Sequence, residues 1–278
     1  MSLKIKYCKF IFLLLISSIV FCSCQSQFDD SKISFSFKIF DEGKADAIVL
    51  RTTEHTVIID TGEKGDGKDI LEYLSENNIT EVDYLFITHF DKDHVGGATK
   101  VINNIKINNI VTPDYVGNNS EYQSYMKAVS EKNITPTKLT QNMNFSLDDV
   151  SFEVFPPMKK SYDEDDNDFS LVISVIDGDN KFLFAGDAEE ERIDEIFTQI
   201  KDLQYDFIKI PHHGRNSNNS KKFLEAINPQ YAAITCSEKE PADDEVIDVL
   251  KSLYCETYYT TNGEIEVLSN GKQIQINQ

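Results

Sequence analysis

The chain has 278 residues, enough for one large domain or two small ones. Its 47 acidic and 27 basic residues give a formal net charge of −20, and so acidic a surface repels polyanions. The composition therefore argues against an extended nucleic acid as an obligate partner, while leaving chemistry on a single phosphodiester open. A hydrophobic content of 40% gives no sign of long disordered stretches.

The amino-terminal segment is predicted to lie outside the folded domain. Three lysines precede an apolar run over residues 10–21, which is too short to span a membrane and typical of a signal peptide. A small residue directly before Cys24 resembles a bacterial lipobox. We expect residues 1–23 to be a lipoprotein signal peptide, Cys24 to be lipidated, and residues 24–33 to form a tether. The alternatives are an ordinary cleaved signal and a short anchor.

Residues 34–278 are predicted to form one domain, because no repeat or internal linker interrupts them. Alternating or short apolar runs predict strands at residues 34–40, 47–50, 56–59, 84–87, 110–111, 145–155, 171–175, 181–185, 207–210, 231–235 and 257–260. Apolar residues at helical spacing predict helices at residues 68–77, 98–102, 122–129, 193–200, 221–226 and 244–253.

The order of these elements indicates an α/β (α+β) fold. We expect antiparallel sets of strands, with helices between them, in mixed sheets that the helices cover. Asn262-Gly263 and Asn270-Gly271 are dipeptides typical of tight β-hairpin turns, so each is predicted to close a hairpin. Cys236 and Cys255 fall near two neighbouring strand ends, where a disulfide or two free thiols would fit.

Potential metal ligands are concentrated directly after the predicted strand at residues 84–87. His89, Asp91, Asp93 and His94 fall within six residues, and Gly96-Gly97 closes the loop. Imidazole nitrogens and carboxylate oxygens are the ligands that divalent ions need. Since the four side chains lie around a bend, their spacing favours a loop that serves two ions rather than one.

Two more strand ends carry side chains of the same kinds. Asp187 follows the strand at residues 181–185, and His212 and His213 follow the strand at residues 207–210. If these strand ends meet the loop after residue 87, they form a two-metal site. The remaining histidine, His55, lies in a predicted hairpin turn and is interpreted as an exposed bystander.

The order of these motifs resembles the metallo-β-lactamase superfamily: His-x-Asp-x-Asp-His at 89–94, Gly-Asp at 186–187 and Pro-His-His-Gly at 211–214. Within it, the chain is most similar to the ComEC-type domain of DNA-uptake competence proteins. The likeness includes residues 41–47, 59–62 and 167–172 and covers about residues 34–270. It implies a four-layer αβ/βα sandwich of two mixed β-sheets flanked by helices, with hydrolysis by water activated between metals at one edge.

The resemblance also implies a role for each motif residue. The first ion would be bound by His89 and Asp91, the second by Asp93, His94 and His213, with Asp187 bridging both. His212, the alternative ligand to His213, would contact the substrate or donate a proton, so Asp93 and His212 are the predicted catalytic residues. Asp60 is predicted to support a ligand rather than bind an ion.

The first ion would lack the histidine that completes its coordination in other superfamily members. Asn167, Asp168, Ser170 or water could take that place or contact the substrate. Asp91, where the superfamily usually has histidine, makes the site richer in oxygen. We therefore expect two divalent ions, Zn²⁺ or Mn²⁺ before Mg²⁺ or Fe²⁺.

An oxygen-rich two-metal site suits phosphodiesters, because such ions clamp anionic oxygens. The predicted function is an exported, membrane-anchored, metal-dependent phosphodiesterase or nuclease that acts on a small-molecule or phosphodiester substrate, with no protein partner inferred. A choline-phosphate or teichoic-acid esterase of the cell wall is one alternative, and a non-catalytic metal-binding surface protein is another. A β-lactamase or lactonase fits the site less well.

Overall fold

Two β-sheets lie face to face in the computed structural model, which describes residues 28–163 and 166–278. The strands of the described residues, numbered β1 to β15, are Phe35–Ile39, Ala47–Arg51, Thr56–Thr61, Glu81–Phe86, Lys106–Pro113, Thr137–Leu139, Met143–Leu147, Val150–Phe155, Val172–Asp177, Asn180–Phe184, Phe207–Lys209, Tyr231–Ile234, Glu256–Tyr259, Ile265–Ser269 and Ile274–Asn277. The helices, numbered α1 to α7, are Gly67–Glu76, Lys92–Val95, Ala98–Asn104, Ser120–Glu131, Glu190–Gln199, Ser220–Ile227 and Asp244–Ser252.

Both sheets are mixed. One has eight strands in the order β15-β14-β1-β2-β3-β4-β5-β6, and the other has seven in the order β13-β12-β11-β10-β9-β8-β7. From β3 to β6 and from β10 to β13 the neighbouring strands are parallel. The expectation of antiparallel sets is therefore wrong for half of each sheet, because crossovers such as α1 return the chain in its original direction.

Three hydrophobic clusters define four layers. The cluster between the sheets includes Phe37 of β1 and Phe207 of β11, whose ring centroids lie 4.9 Å apart. A second cluster joins the outer face of the eight-stranded sheet to α1, α3 and α4, and a third joins the other sheet to α5, α6 and α7. This arrangement confirms the predicted αβ/βα sandwich.

The two predicted hairpin turns have different outcomes. Asn270-Gly271 joins the antiparallel pair β14 and β15, and Gly271 has the positive φ of +78° that such a turn requires. Asn262-Gly263 does not close a hairpin, because it links β13 in one sheet to β14 in the other. Local sequence gives the turn, but it does not decide which sheet receives the next strand.

Several other predictions concern the ends of the fold and the cysteines. The predicted signal peptide, Cys24 and the start of the tether lie outside the described residues, and the end of the tether contains the 3₁₀ turn Asp30–Lys32. None of the helices in the described part of the chain is long and apolar enough to cross a membrane. Cys236 and Cys255 are free thiols.

The parallel halves of the sheets position the candidate site. The chain leaves the carboxyl ends of β4, β10 and β11 with His89, Asp187 and His213 respectively. Since the two sheets are stacked, these ends meet at one edge of the sandwich.

Candidate metal centre

The loop after β4 buries both of its histidines. His89 and His94 are each 0% exposed, and their ring centroids lie 4.1 Å apart. The short helix α2 reverses the chain between them, with the amides of His94 and Val95 donating hydrogen bonds to the carbonyl of Asp91. The loop thus directs two imidazoles into one space.

Asp187 and His213 enter the same space from the other sheet. Asp187 Oδ2 lies 3.2 Å from His94 Nε2 and 3.0 Å from His213 Nε2. Asp93 Oδ2 lies 3.6 Å from His213 Nε2. Three groups of potential ligand atoms form among the described residues, each within 4.8 Å: His89 with His94 and Asp187, Asp93 with His94 and His213, and Asp46 with Asp60 and His94. His94 belongs to all three, and the first two contain the predicted ligands.

The inward nitrogens of all three histidines are buried without a hydrogen bond. These are the Nε2 atoms of His89, His94 and His213, and Asp187 Oδ1 shares this condition. Buried polar atoms are seldom left unpaired, since each costs free energy. Divalent ions held between these side chains would give the four atoms partners, so the residues present fit a metal centre.

Hydrogen bonds on the outer nitrogens fix the first two imidazoles. His94 Nδ1 lies 2.8 Å from Asp60 Oδ2, and His89 Nδ1 lies 3.1 Å from Thr88 Oγ1. Because the Thr88 hydroxyl donates to Asp60, it accepts from His89. Both rings then carry a proton on Nδ1 and turn the lone pair of Nε2 inwards, as a metal ligand must. Asp60 lies where a supporting carboxylate was predicted.

A separate relay fixes the third imidazole. His213 Nδ1 lies 3.0 Å from Thr235 Oγ1, which donates in turn to Asp46 Oδ1 at 2.6 Å. Asp46 is 2% exposed, and its other oxygen forms an ion pair with Lys209. Sequence reasoning assigned no role to these three partners of His213.

Lys209 is an ammonium group buried directly behind the site. It is 1% exposed and lies 3.7 Å from Asp187 Oδ1 and 3.4 Å from the carbonyl of Gly186. Burial opposes its charge, but Asp46 and Asp187 raise its pKa. A lysine between Ile208 and Ile210, at the end of the apolar strand β11, was the sequence signal, because such a position is normally uncharged.

The buried histidines and Asp187 shift one another's pKa values. Burial lowers the pKa of His89 well below its usual range, leaving a neutral imidazole. Although burial opposes it, the Asp187 carboxylate raises the pKa of both His94 and His213. Those imidazoliums in turn hold the pKa of Asp187 well below its usual range, against the effect of burial. A divalent ion would supply the same charge in place of these protons.

Asp91 lies at the rim of the site rather than inside it. Its side chain is 42% exposed, and its Oδ2 lies 4.0 Å from His89 Nε2. Burial of the remainder, together with other carboxylates, raises its pKa to about 6. Of the six predicted ligands, the structure brings five together and places Asp91 beside them.

His212 points away from the buried cluster. Its side chain is 28% exposed, and its Nδ1 lies 2.6 Å from Glu189 Oε1. Asn167 Nδ2 also donates to Glu189, while Asn167 Oδ1 is buried without a partner. Both His212 and His213 adopt left-handed φ values, 47° and 53°, which cost free energy for side chains with a Cβ. This strained turn sends the two rings to opposite sides.

The structure uses Asp168 and Ser170 to hold other elements in place. Asp168 Oδ1 accepts hydrogen bonds from the amides of Glu189 and Arg192, and so caps the start of α5. Ser170 Oγ accepts from the amide of Asp187 and lies 3.5 Å from His89 Nδ1. Both therefore contact groups that surround the site. His55, the predicted bystander, pairs with Asp83 instead.

Comparison with known proteins agrees with this geometry. The sequence profile of the metallo-beta-lactamase superfamily matches residues 40–237, well over half of the chain. The chain belongs to the metallo-β-lactamase superfamily. Members of that superfamily typically bind divalent metals, and the resemblance read from the motifs of this chain is confirmed.

Curated relatives of this superfamily member include a ComE operon protein and a recombination protein. It is 23% identical over 171 residues to ComE operon protein 3 of Bacillus subtilis, covering 62% of this chain and 22% of that protein. It is 25% identical over 216 residues to Recombination protein 2 of Haemophilus influenzae, covering 76% of this chain and 25% of that protein. The chain thus spans about a quarter of the length of these relatives. The ComEC-type likeness is confirmed.

A solved structure shows the same fold. The metallo-beta-lactamase fold protein YhfI from Bacillus subtilis superposes with a TM-score of 0.57 at 8% sequence identity, covering 87% of this chain and 100% of that chain. At so low an identity the likeness concerns the sandwich of the metallo-β-lactamase fold alone.

Proposed function

We propose that this chain hydrolyses phosphodiesters with two divalent metal ions. The observation that carries the proposal is the convergence of three unpaired Nε2 atoms, from His89, His94 and His213, on the carboxylate of Asp187. Asp93 beside them, and Asp91 at the rim, make the surroundings rich in oxygen. Such a donor set suits hard ions and anionic substrate oxygens better than a neutral β-lactam.

The residues of the site would have different roles according to their positions. His89, Asp91 and Asp187 would hold one ion, and Asp93, His94, His213 and Asp187 the other. When bound, the ions supply Lewis-acid polarisation of the phosphoryl group and acidify a water molecule. Asp93 orients the reacting groups, and Asp60 keeps His94 in place. His212, partly exposed and held by Glu189, would contact the substrate or donate a proton to a leaving group.

The donor set also bears on the metals. Three imidazoles and three carboxylates favour Zn²⁺ or Mn²⁺, and Mg²⁺ or Fe²⁺ also accept such ligands. Asn167, with its buried unpaired oxygen, is available to the first ion or to the substrate. Metal analysis of the purified protein should give two ions per chain. One ion or fewer, without activity, would favour a non-catalytic metal-binding protein.

Hydrolysis of bis(p-nitrophenyl) phosphate with added Mn²⁺ tests the proposal. Asp187→Ala should lower kcat/KM by at least about a hundredfold, since it removes the carboxylate shared by both ions. Asp177→Asn is the matched control, because Asp177 is equally buried, 3% exposed, but bonds Ser34 and Ser269 elsewhere. Full activity in Asp187→Ala would sink the mechanism, and rapid nitrocefin turnover would move the assignment to a β-lactamase.

Hydrolysis of choline-phosphate esters is a second candidate with one observation in its favour. A cavity of about 630 Å³ next to Glu189 is lined by the carboxylates of Asp163, Asp168, Glu189, Glu190, Glu191 and Asp194. Carboxylates at that place would attract a quaternary ammonium headgroup. p-Nitrophenyl phosphorylcholine turned over faster than bis(p-nitrophenyl) phosphate would favour this candidate, which includes teichoic-acid esters of the cell wall.

We further propose that the protein is exported and anchored in the bacterial cell membrane by a lipid on Cys24, facing outwards. The support is the lysine-rich start, the apolar run and the cysteine that follows it. Labelling of cells with a radioactive fatty acid should mark the wild-type chain and fail to mark Cys24→Ala. A net charge of −20 makes long DNA an unfavourable partner, so small diesters should be the better substrates.

A further inference from the structure

Lys44 places a partly exposed ammonium group against the candidate metal centre. Its Nζ lies 3.2 Å from Asp93 Oδ2 and 3.9 Å from Glu240 Oε1, and its side chain is 31% exposed. Asp93, by contrast, is nearly buried. Lys44 therefore reaches the site from the solvent side, opposite to the buried ammonium group behind it.

The loop that carries Lys44, between β1 and β2, is fixed on both sides of this residue. Before it, the carbonyl of Gly43 accepts a hydrogen bond from the Thr260 hydroxyl. After it, the amide of Asp46 donates to the carbonyl of Asp93, and the carbonyl of Asp46 accepts from the amide of Gly62. The backbone beneath Lys44 is therefore held to the same loop that carries the ligands, and only its side chain is free to adjust.

Lys44, although paired with Asp93, is the partly exposed one of the two ammonium groups that contact carboxylates of the site in the described residues. Within residues 28–163 and 166–278, two ammonium groups contact carboxylates of the site, those of Lys44 and Lys209. Lys209 is buried and already paired with Asp46. Lys92, although next to Asp93 in sequence, has its Nζ 3.8 Å from Glu63 instead.

We propose that Lys44 binds a non-bridging oxygen of an anionic substrate at the mouth of the site. This inference rests on the proposed function and makes it specific, because it gives the centre a means of selecting anions over neutral esters. A chain of net charge −20 repels an approaching phosphodiester. The ammonium group of Lys44 beside Asp93 offsets that repulsion at the place where the anionic group of the substrate would bind.

A purely structural role of Lys44 and an anion-binding role predict different effects of its loss. The exposed pair with Glu240 contributes little to stability, and in the metal-loaded chain the bound ion would balance the charge of Asp93, the other partner of Lys44. Loss of the ammonium group should therefore leave the folding of the loaded chain nearly unchanged. Loss of an anion-binding group, on the other hand, should weaken the binding of anions only. A charge-assisted hydrogen bond lost on substitution corresponds to an affinity change of about ten- to a hundredfold.

The test compares wild type, Lys44→Met, Lys44→Arg and the control Lys92→Met as full, Mn²⁺-loaded chains. Steady-state kinetics are measured with bis(p-nitrophenyl) phosphate and with the neutral p-nitrophenyl acetate. Calorimetry measures binding of inorganic phosphate, and metal analysis and thermal unfolding check each variant. We expect Lys44→Met to raise KM for the diester about tenfold or more, to weaken phosphate binding equally and to leave the neutral ester, the metal content and Tm unchanged. Lys44→Arg should recover most of the loss.

The outcomes separate this inference from the proposed function. Diester hydrolysis by wild type with unchanged KM and phosphate affinity in Lys44→Met would overturn the inference and leave the function intact. Metal loss in Lys44→Met would also overturn it, since Lys44 would then act on the ligands. If wild type hydrolyses no diester, the proposed function is wrong, and the binding of inorganic phosphate alone tests the role of Lys44. Phosphate binding that is lost in Lys44→Met supports the anion site. Phosphate binding that is equal in both chains, or absent from wild type, refutes it.

Discussion

At the scale of single residues, the site is defined as much by the outer nitrogens of its histidines as by the inner ones. Each Nδ1 atom has a partner: Asp60 for His94, and the hydroxyls of Thr88 and Thr235 for His89 and His213. These partners determine the tautomer of each histidine and fix the orientation of its ring. The metal ligands were readable from spacing, but two of their three partners were not.

Asp60→Asn tests this support. Asparagine tolerates the left-handed φ of 55° that Asp60 adopts. Its NH₂ group would, however, replace one of the two accepting oxygens, which now face the amide of Thr88 and the Nδ1 of His94. Metal affinity should fall about 10- to 100-fold, measured by titration of the metal-free protein with Mn²⁺ or Zn²⁺. Asp83→Asn is the control, because it breaks another His–Asp pair, with His55 at 3.1 Å. Equal affinities in Asp60→Asn and wild type would show that Asp60 does not support a ligand.

At the scale of elements, the loop after β4 depends on a close approach of backbones. A Cβ added to Gly97 would lie 2.2 Å from the carbonyl oxygen of Thr61 and 2.8 Å from the amide nitrogen of Gly67. Gly97 itself has an ordinary helical conformation, φ −78° and ψ −12°. The glycine is therefore required by space and not by backbone dihedrals. This contact fixes α2, and with it Asp93 and His94, against β3.

Gly97→Ala should accordingly destabilise the protein by about 1–3 kcal/mol, because neither backbone atom can move without shifting β3 or α1. Urea unfolding gives the change in free energy, and metal content should fall in parallel as α2 is displaced. Gly65→Ala is the matched control, since a Cβ there meets nothing within 4 Å, and it should be nearly neutral. Equal stability of the two variants would contradict the close-packing argument.

At the scale of the whole molecule, the fold does not need the metals to form its core. The cluster between the sheets consists of aliphatic and aromatic side chains contributed by both of them, and it lies away from the edge that carries the ligands. Hydrophobic burial of this extent stabilises a domain of this size by itself. The metals are expected to add to stability through preferential binding to the folded state.

Removal of the metals by chelation should therefore lower Tm without unfolding the chain. Binding at a hundredfold excess over Kd adds about 2.7 kcal/mol, which corresponds to a fall in Tm of roughly 5–10 °C. Scanning calorimetry and circular dichroism, with and without EDTA, measure both quantities. Asp187→Ala should show little further fall on chelation, because it already lacks the shared ligand. A chain that loses its secondary structure in EDTA would show instead that the metals build the fold.

The sequence by itself determined the fold family and predicted the side chains of the candidate site. Strand ends and ligand types are local properties, so His89, Asp93, His94, Asp187 and His213 could be read as one site before their positions were known. The Asn270-Gly271 hairpin is local in the same way. The parallel halves of the sheets and the link at Asn262-Gly263 were not predicted, because the partner of a strand depends on residues far away in the chain.

Only the tertiary structure decided which charges face the site. Asp91 lies at the rim although its spacing matches that of an inner ligand. Asp46, Lys209 and Lys44 come from loops and strands whose sequence contains no metal motif, and they reach the site because two sheets stack with one set of strand ends aligned. A charge acts over a few ångströms of space, and that distance is set by packing and not by separation along the chain.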